Sequence, residues 1–236
     1  MLRRRGVLAA SLAVLLTGCS AAGEANPEKV GPRGVDELTI PTPSPNPQDF
    51  VASVDNPWLP LKPGRVWTYD VSASPATSLE MRVEDAPQTV AGVACAVVHT
   101  TATDASGRVV RESDAYFAQD LRGNVWLLGE QTPSRSWRAG EGDAEAGLFM
   151  PAEPRVGDGW AVERSPDVAS DDATVLGVES ETTVPAGTFA DTVVIETRAG
   201  VGHLDVTRRT YAEGTGLIEA LTALGGTEHA GLVSVS

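Results

Sequence analysis

The sequence predicts an all-β fold, an antiparallel barrel or sandwich of about 10–12 strands with little helix. Three observations predict it. From Asn56 onward, short runs alternate apolar and polar residues, the two-residue period of a strand with one buried face. Gly, Pro, Asp and Ser punctuate those runs, as turns require. No window of a dozen residues carries a convincing 3.6-residue period, so any helix is short.

The elements follow in order. Trp67, Tyr69 and Val71 alternate with Thr68 and Asp70, which turns the large side chains to one face. Leu79, Met81 and Val83 alternate with Glu80, Arg82 and Glu84 in the same way. Val125 and Leu127 interleave with Trp126 and Leu128, a run apolar on both sides that reads as a central strand. Val193, Val194 and Ile195 form another such run, and Thr207–Ala212 alternates again. Gly142–Met150 is the best candidate for a single helical turn.

The two halves of this region echo one another. Gly64 and Trp67 match Gly157 and Trp160, "TVAGV" (89–93) matches "VPAGT" (184–188), and "YFAQDLRGNVWLL" (116–128) matches "TYAEGTGLIEAL" (210–221). Order and spacing are kept, which defines pseudo-repeated halves at 56–130 and 150–224 within one β-domain spanning 50–236. Each half alone would be a sheet with an open edge, and pairing the two covers that edge. A site would then lie at the mouth or at the seam.

The N-terminus reads as a targeting segment. Arg3, Arg4 and Arg5 precede an apolar run, Gly6–Leu16, too short to span a bilayer, which takes about 20 residues. Leu16-Thr17-Gly18-Cys19 resembles the bacterial lipoprotein box. The resemblance implies a signal peptide over 1–18, cleavage between Gly18 and Cys19, and diacylglycerol on the Cys19 thiol, usually with N-acylation. Two or more acyl chains make attachment lasting, so the expected location is the extracytoplasmic face of the cell membrane. Arg4-Arg5 followed by Val7-Leu8 also hints at twin-arginine export, and the export route stays open. Residues 19–49 form a tether in which Pro41, Pro43, Pro45 and Pro47 occupy every second position, favouring extended, stiff backbone.

Composition narrows the partners. The net charge is −14, and removal of Arg3, Arg4 and Arg5 with the signal makes it −17. A surface that acidic repels nucleic acid. The chain has two lysines against sixteen arginines, a bias typical of a GC-rich genome. Once Cys19 is lipidated, Cys95 has no disulfide partner; in its apolar run it reads as a small buried hydrophobe.

The segments Asp55–Tyr69, Tyr116–Glu130 and Ser136–Asp158, with Val184–Phe189 and Tyr211–Ala220, resemble a widespread family of uncharacterised bacterial secreted proteins and lipoproteins. The likeness covers nearly the whole mature domain and implies an envelope location and one β-rich domain. It carries no catalytic residue.

Signatures of catalysis are missing: there is no Gly-x-Ser-x-Gly elbow, His-Glu-x-x-His or phosphate-binding loop. His99, His203 and His229 lie far apart in sequence. His99 shares a strand face with Cys95, an arrangement that suits packing better than a metal. The acidic loops Glu141/Asp143/Glu145 and Asp167/Asp171/Asp172 lack the ordered spacing of a calcium loop and read as solvated charge. No metal and no cofactor are expected. Of the five tryptophans, Trp137 is the candidate for an exposed ligand contact. The leading expectation is a non-enzymatic envelope lipoprotein whose domain binds a ligand or an envelope protein. A ligand carrier requires an apolar cavity of about 300–1,000 Å³, a scaffold a filled core and an exposed apolar patch. The rival is a wall-directed hydrolase with two carboxylates about 5–9.5 Å apart in a cleft.

Overall fold

The structure, a computed structural model, describes residues 45–165, 171–200 and 205–236. The expected signal peptide, Gly18, Cys19 and most of the expected tether lie outside the described residues, as do Asp167 and His203. The described residues form fourteen strands, all antiparallel where they pair, and one short 3-10 turn, Pro47–Asp49. That turn stands where alternating prolines predicted extended backbone; the Asn46 side chain accepts the Gln48 amide and caps it.

The first half contains β1 (Val66–Ser72), β2 (Ser78–Val83), β3 (Gln88–Val90), β4 (Val93–Thr103), β5 (Val109–Gln119) and β6 (Val125–Gln131). Three short strands follow, β7 (Ser136–Arg138), β8 (Gly147–Met150) and β9 (Gly159–Ala161). The second half continues with β10 (Asp171–Val184), β11 (Gly187–Ala199), β12 (Val206–Ala212), β13 (Gly216–Leu224) and β14 (His229–Val235). The order across the sheet is β7-β6-β5-β4-β2-β1-β14-β13-β12-β11-β10-β9, with β3 on β4 and β8 on β6. This is an up-and-down meander in which the first and last strands pair in the middle. The sheet is not closed into a barrel. Its two ends approach at a seam, where Glu145 and Arg164 form an isolated bridge.

Several sequence expectations change here. Gly142–Met150 is no helical turn: its second half is β8, paired with β6. Gly147 permits this, since a Cβ there would lie 2.0 Å from the Val162 carbonyl oxygen across the seam. The run Val125–Leu128 is buried on both faces as expected, but β6 lies near one end of the sheet rather than at its centre. Alternation explains the double burial. Val125 and Leu127 join the main core with Phe117 and Val98. Trp126 and Leu128 join a second cluster with Cys95, Tyr116 and Leu148 on the opposite face.

Residues 54–61 close one end of the strands. Val54 and Leu61 bridge each other, and Asn56, 2% exposed, ties the loop to both hairpins nearby. Its Oδ1 accepts the amides of Trp58 and Leu59 (2.9 and 3.2 Å). Its Nδ2 donates to the carbonyls of Gly123 and Pro151 (2.9 and 3.1 Å). The Gln119 side chain accepts the Asn56 amide (2.8 Å), and the Gly214 amide donates to the Pro57 carbonyl (2.7 Å). Removing this buried side chain strands the Trp58 amide and the Gly123 and Pro151 carbonyls, while the Leu59 amide keeps the Asn56 carbonyl (3.1 Å). Asn56→Ala is therefore expected to cost about 2–4 kcal/mol and lower Tm by roughly 5–15 °C in a chain of this size, read by urea and thermal unfolding.

Candidate functional site

On β5 the side chains of Arg111, Ser113, Ala115 and Phe117 alternate onto one face, and on β12 Thr207, Arg209 and Tyr211 do the same. These two sets, six strands apart in the sheet, line the same cavity of about 430 Å³. The sheet therefore curves around it. The β2 and β4 side contributes Leu79, Met81 and Val98, the closing loop Leu59 and Leu61, and β8 Phe149. Phe149 meets Phe117 edge to face at 4.9 Å.

Glu130 reaches this cavity because of a bulge. Phe117 pairs with Leu127 and Tyr116 with Gly129, leaving Leu128 unpaired. One extra residue inverts the alternation, so Glu130, opposite Ala115, points to the cavity side. The β12–β13 hairpin has the same irregularity: Tyr211 pairs with Leu217, Thr210 with Glu219, and Ile218 is extra. Ala220, opposite Arg209, lines the cavity as a result.

Two polar groups meet the apolar lining. At one, Arg111 binds Glu228 through both guanidinium nitrogens (3.2 and 2.8 Å), and Ser74 donates to the same carboxylate (2.6 Å). The other lies at the seam. There Arg135 contacts Glu130 in a short ion pair and reaches Glu163 at 3.9 Å. The Glu163 side chain is only 11% exposed, and its Oε2 has no hydrogen-bond partner among the described residues. Burial, and then the carboxylates of Glu130 and Asp171, push the Glu163 carboxyl up to about 7 against Arg135 and Arg209. Burial raises Asp171 as well. Arg209 donates to Thr197 (3.0 Å) while facing this group.

The residues singled out in the sequence are elsewhere. Trp137 is 3% exposed and belongs to the main core, so it cannot present its ring to a ligand from the surface; β7 turns it inward. Cys95 is fully buried, and burial pushes its thiol up to about 12, which leaves no thiolate at neutral pH. His99 is engaged by Asp114 (2.7 Å) and Thr101 (3.0 Å), and His229 by Glu219 (2.9 Å). Glu141 and Asp143 are exposed, and among the described residues no cluster of three or more acidic, His or Cys side chains is arranged for a metal. Glu130, Glu163 and Arg209 carried no local sequence signal, because a bulge and a seam bring them together.

No family model matches the chain, and no curated protein matches it. Among solved structures, the chain is similar to a presumed exported protein with a YmcC-like fold from Bacteroides fragilis. That match has a TM-score of 0.46 and 14% identity over 76% of this chain and 98% of that one. A presumed lipoprotein from Parabacteroides distasonis is similar at a TM-score of 0.43 and 15% identity, over 76% of this chain and 98% of that one.

The raised Glu163 carboxyl has a consequence for stability. Below pH 4.5 it is protonated in both folded and unfolded chains and costs nothing. As pH rises towards 7 the unfolded chain loses its proton first, so stability falls across that window and the deficit is constant above it. Glu163→Gln is expected to match the parent near pH 4 and to exceed it by up to about 3 kcal/mol at pH 8, measured by urea unfolding across pH 4–8.5.

Proposed function

We propose that this chain is a cell-envelope lipoprotein, held at the extracytoplasmic face of the membrane through acyl chains on Cys19, whose β-domain carries an apolar ligand. The observation behind the carrier reading is the cavity of about 430 Å³ with its largely aliphatic and aromatic lining. Its volume lies within the roughly 300–1,000 Å³ range of small-molecule sites. A scaffold would fill that space with side chains, since an unfilled core forfeits contact energy. The lipobox and the proline-rich tether support the anchorage.

One observation favours the hydrolase as a second reading. Glu130, ion-paired to Arg135, and Glu163, raised towards 7, are two carboxyl groups on the wall of one cavity, the pair of acids that glycoside hydrolysis needs. Against it, both carboxylates address the same Arg135 guanidinium, and aliphatic side chains dominate the surrounding wall. Release of reducing ends from soluble wall oligosaccharides, abolished in Glu163→Gln, would favour the hydrolase; no release favours the carrier.

Two tests address the main reading. Ala220→Phe places a ring in the cavity from β13 and is expected to weaken binding of an environment-sensitive naphthylamine dye at least tenfold, read by fluorescence titration. Unchanged affinity would place the dye elsewhere and remove the support for a carrier. Cys19→Ala is expected to abolish incorporation of an alkyne-tagged palmitate in the native host, and persistent labelling would overturn lipidation at Cys19.

A further inference from the structure

We propose that the cavity takes a linear amphiphile with a cationic, hydrogen-bond-donating head, an alkyl chain ending in a primary ammonium, and that Glu163 receives the head. The inference rests on reading the cavity as a ligand site and adds the chemical class of the ligand.

Two charged groups stand on the cavity wall. The Arg111 side is complete: guanidinium and carboxylate meet in a two-pronged pair, and Ser74 supplies a further donor to Glu228. Nothing there calls for a ligand. The seam is different. Among the described residues, three carboxylates (Glu130, Glu163 and Asp171) face two guanidiniums (Arg135 and Arg209), which leaves an excess of negative charge. The deficit falls on Glu163. Arg135 and Glu130 make the close pair, while Glu163 is left at 3.9 Å with an oxygen that is buried and accepts no hydrogen bond. A buried carboxylate oxygen without a donor is costly. A ligand that brings both a donor and a positive charge removes that cost.

An anionic head does the opposite. A carboxylate or phosphate would add negative charge to a site already in excess and would present acceptors to an acceptor. A hydroxyl would supply a donor but no charge, and charge-assisted hydrogen bonds are roughly twice as strong as neutral ones. The rest of the lining suits an alkyl tail. Phe149, Leu127, Phe117, Leu59 and Leu61 share the cavity wall with Glu163. The acidic chain, at −14 overall, attracts cations at long range as well. That effect alone does not depend on Glu163.

The test uses the full chain carrying Cys19→Ala, expressed without export so that no acyl chain competes. n-Dodecylammonium, n-dodecanol and dodecanoate are titrated below their critical concentrations at pH 8, by displacement of the naphthylamine dye. Dodecylammonium is expected to bind about tenfold tighter than the alcohol, and dodecanoate weakest. Each added methylene from octyl to dodecyl is expected to tighten binding about fourfold. In Glu163→Gln the ammonium advantage should fall below threefold while the alcohol is unchanged. If that variant does not fold, the parent gives an independent answer, because lowering the pH from 8 to 5 should erase most of the ammonium preference and leave the alcohol unaffected. Equal or tighter binding of dodecanoate, or an ammonium preference that survives both Glu163→Gln and pH 5, overturns the head-group assignment and leaves the carrier reading intact. Failure of all three to displace the dye overturns the carrier reading with it.

Discussion

Six backbone pairs between β1 and β14 join the first strand of the domain to its last. Without that ladder the two meanders would each expose the edge of a long apolar strand, the form of sheet most prone to wrong pairing. The junction is reinforced through its side chains. The Trp67 indole donates to the Thr215 carbonyl (2.7 Å), the Tyr69 hydroxyl to that of Leu217 (2.9 Å), and Arg65 to that of Gly214 (2.9 Å). All three reach past β14 to the β12–β13 hairpin. The cavity follows from this, because β12 and β13 face β4 and β5 only if the sheet runs unbroken through β1 and β14.

Given one continuous sheet, two bulges decide what the cavity contains. Strict alternation along β6 would send Glu130 to the face of Trp126 and Leu128, into a cluster built from Val93, Cys95 and Ala146. A carboxylate there would be buried without a guanidinium. The extra residue at Leu128 returns it to the face where Arg135 waits. The corresponding bulge at Ile218 places alanine, not glutamate, opposite Arg209. The two hairpins thus share a backbone device and differ in the charge it delivers. That difference leaves Arg209 turned towards the carboxylates of the seam.

This explains which parts of the molecule were legible in sequence. The alternations around Trp67 and Leu79 named strands and faces correctly, because each run keeps its period and its own hydrophobic payload; Thr207–Ala212 was named as a strand, but its last three residues are all buried. The β8 strand was misread, since Gly147–Met150 is too short to show a period and takes its conformation from β6. Trp137 was misread for a related reason. Its neighbours are polar and glycine-rich, yet a three-residue strand is enough to turn one indole into the core. The charged seam was not legible at all. Glu163 follows a three-residue strand, Glu130 follows a bulge, and only the approach of the two sheet ends brings them together.

The seam also shows why the ends of this sheet are not zipped into a barrel. The terminal strands β7 and β9 have three residues each, short enough to limit pairing with another chain. A ladder between the ends would satisfy more backbone groups, but it would fill the place where Glu163 meets the cavity. Among the described residues, the Glu145–Arg164 bridge and a tight glycine contact at Gly147 hold the ends close without covering the carboxylate. The fold thereby keeps an acidic side chain that is buried, underpaired and raised towards 7. A neutral amide would suit the isolated domain better. Groups that cost stability and sit on a cavity wall are where function is most often found; here the cost is concentrated in a single oxygen.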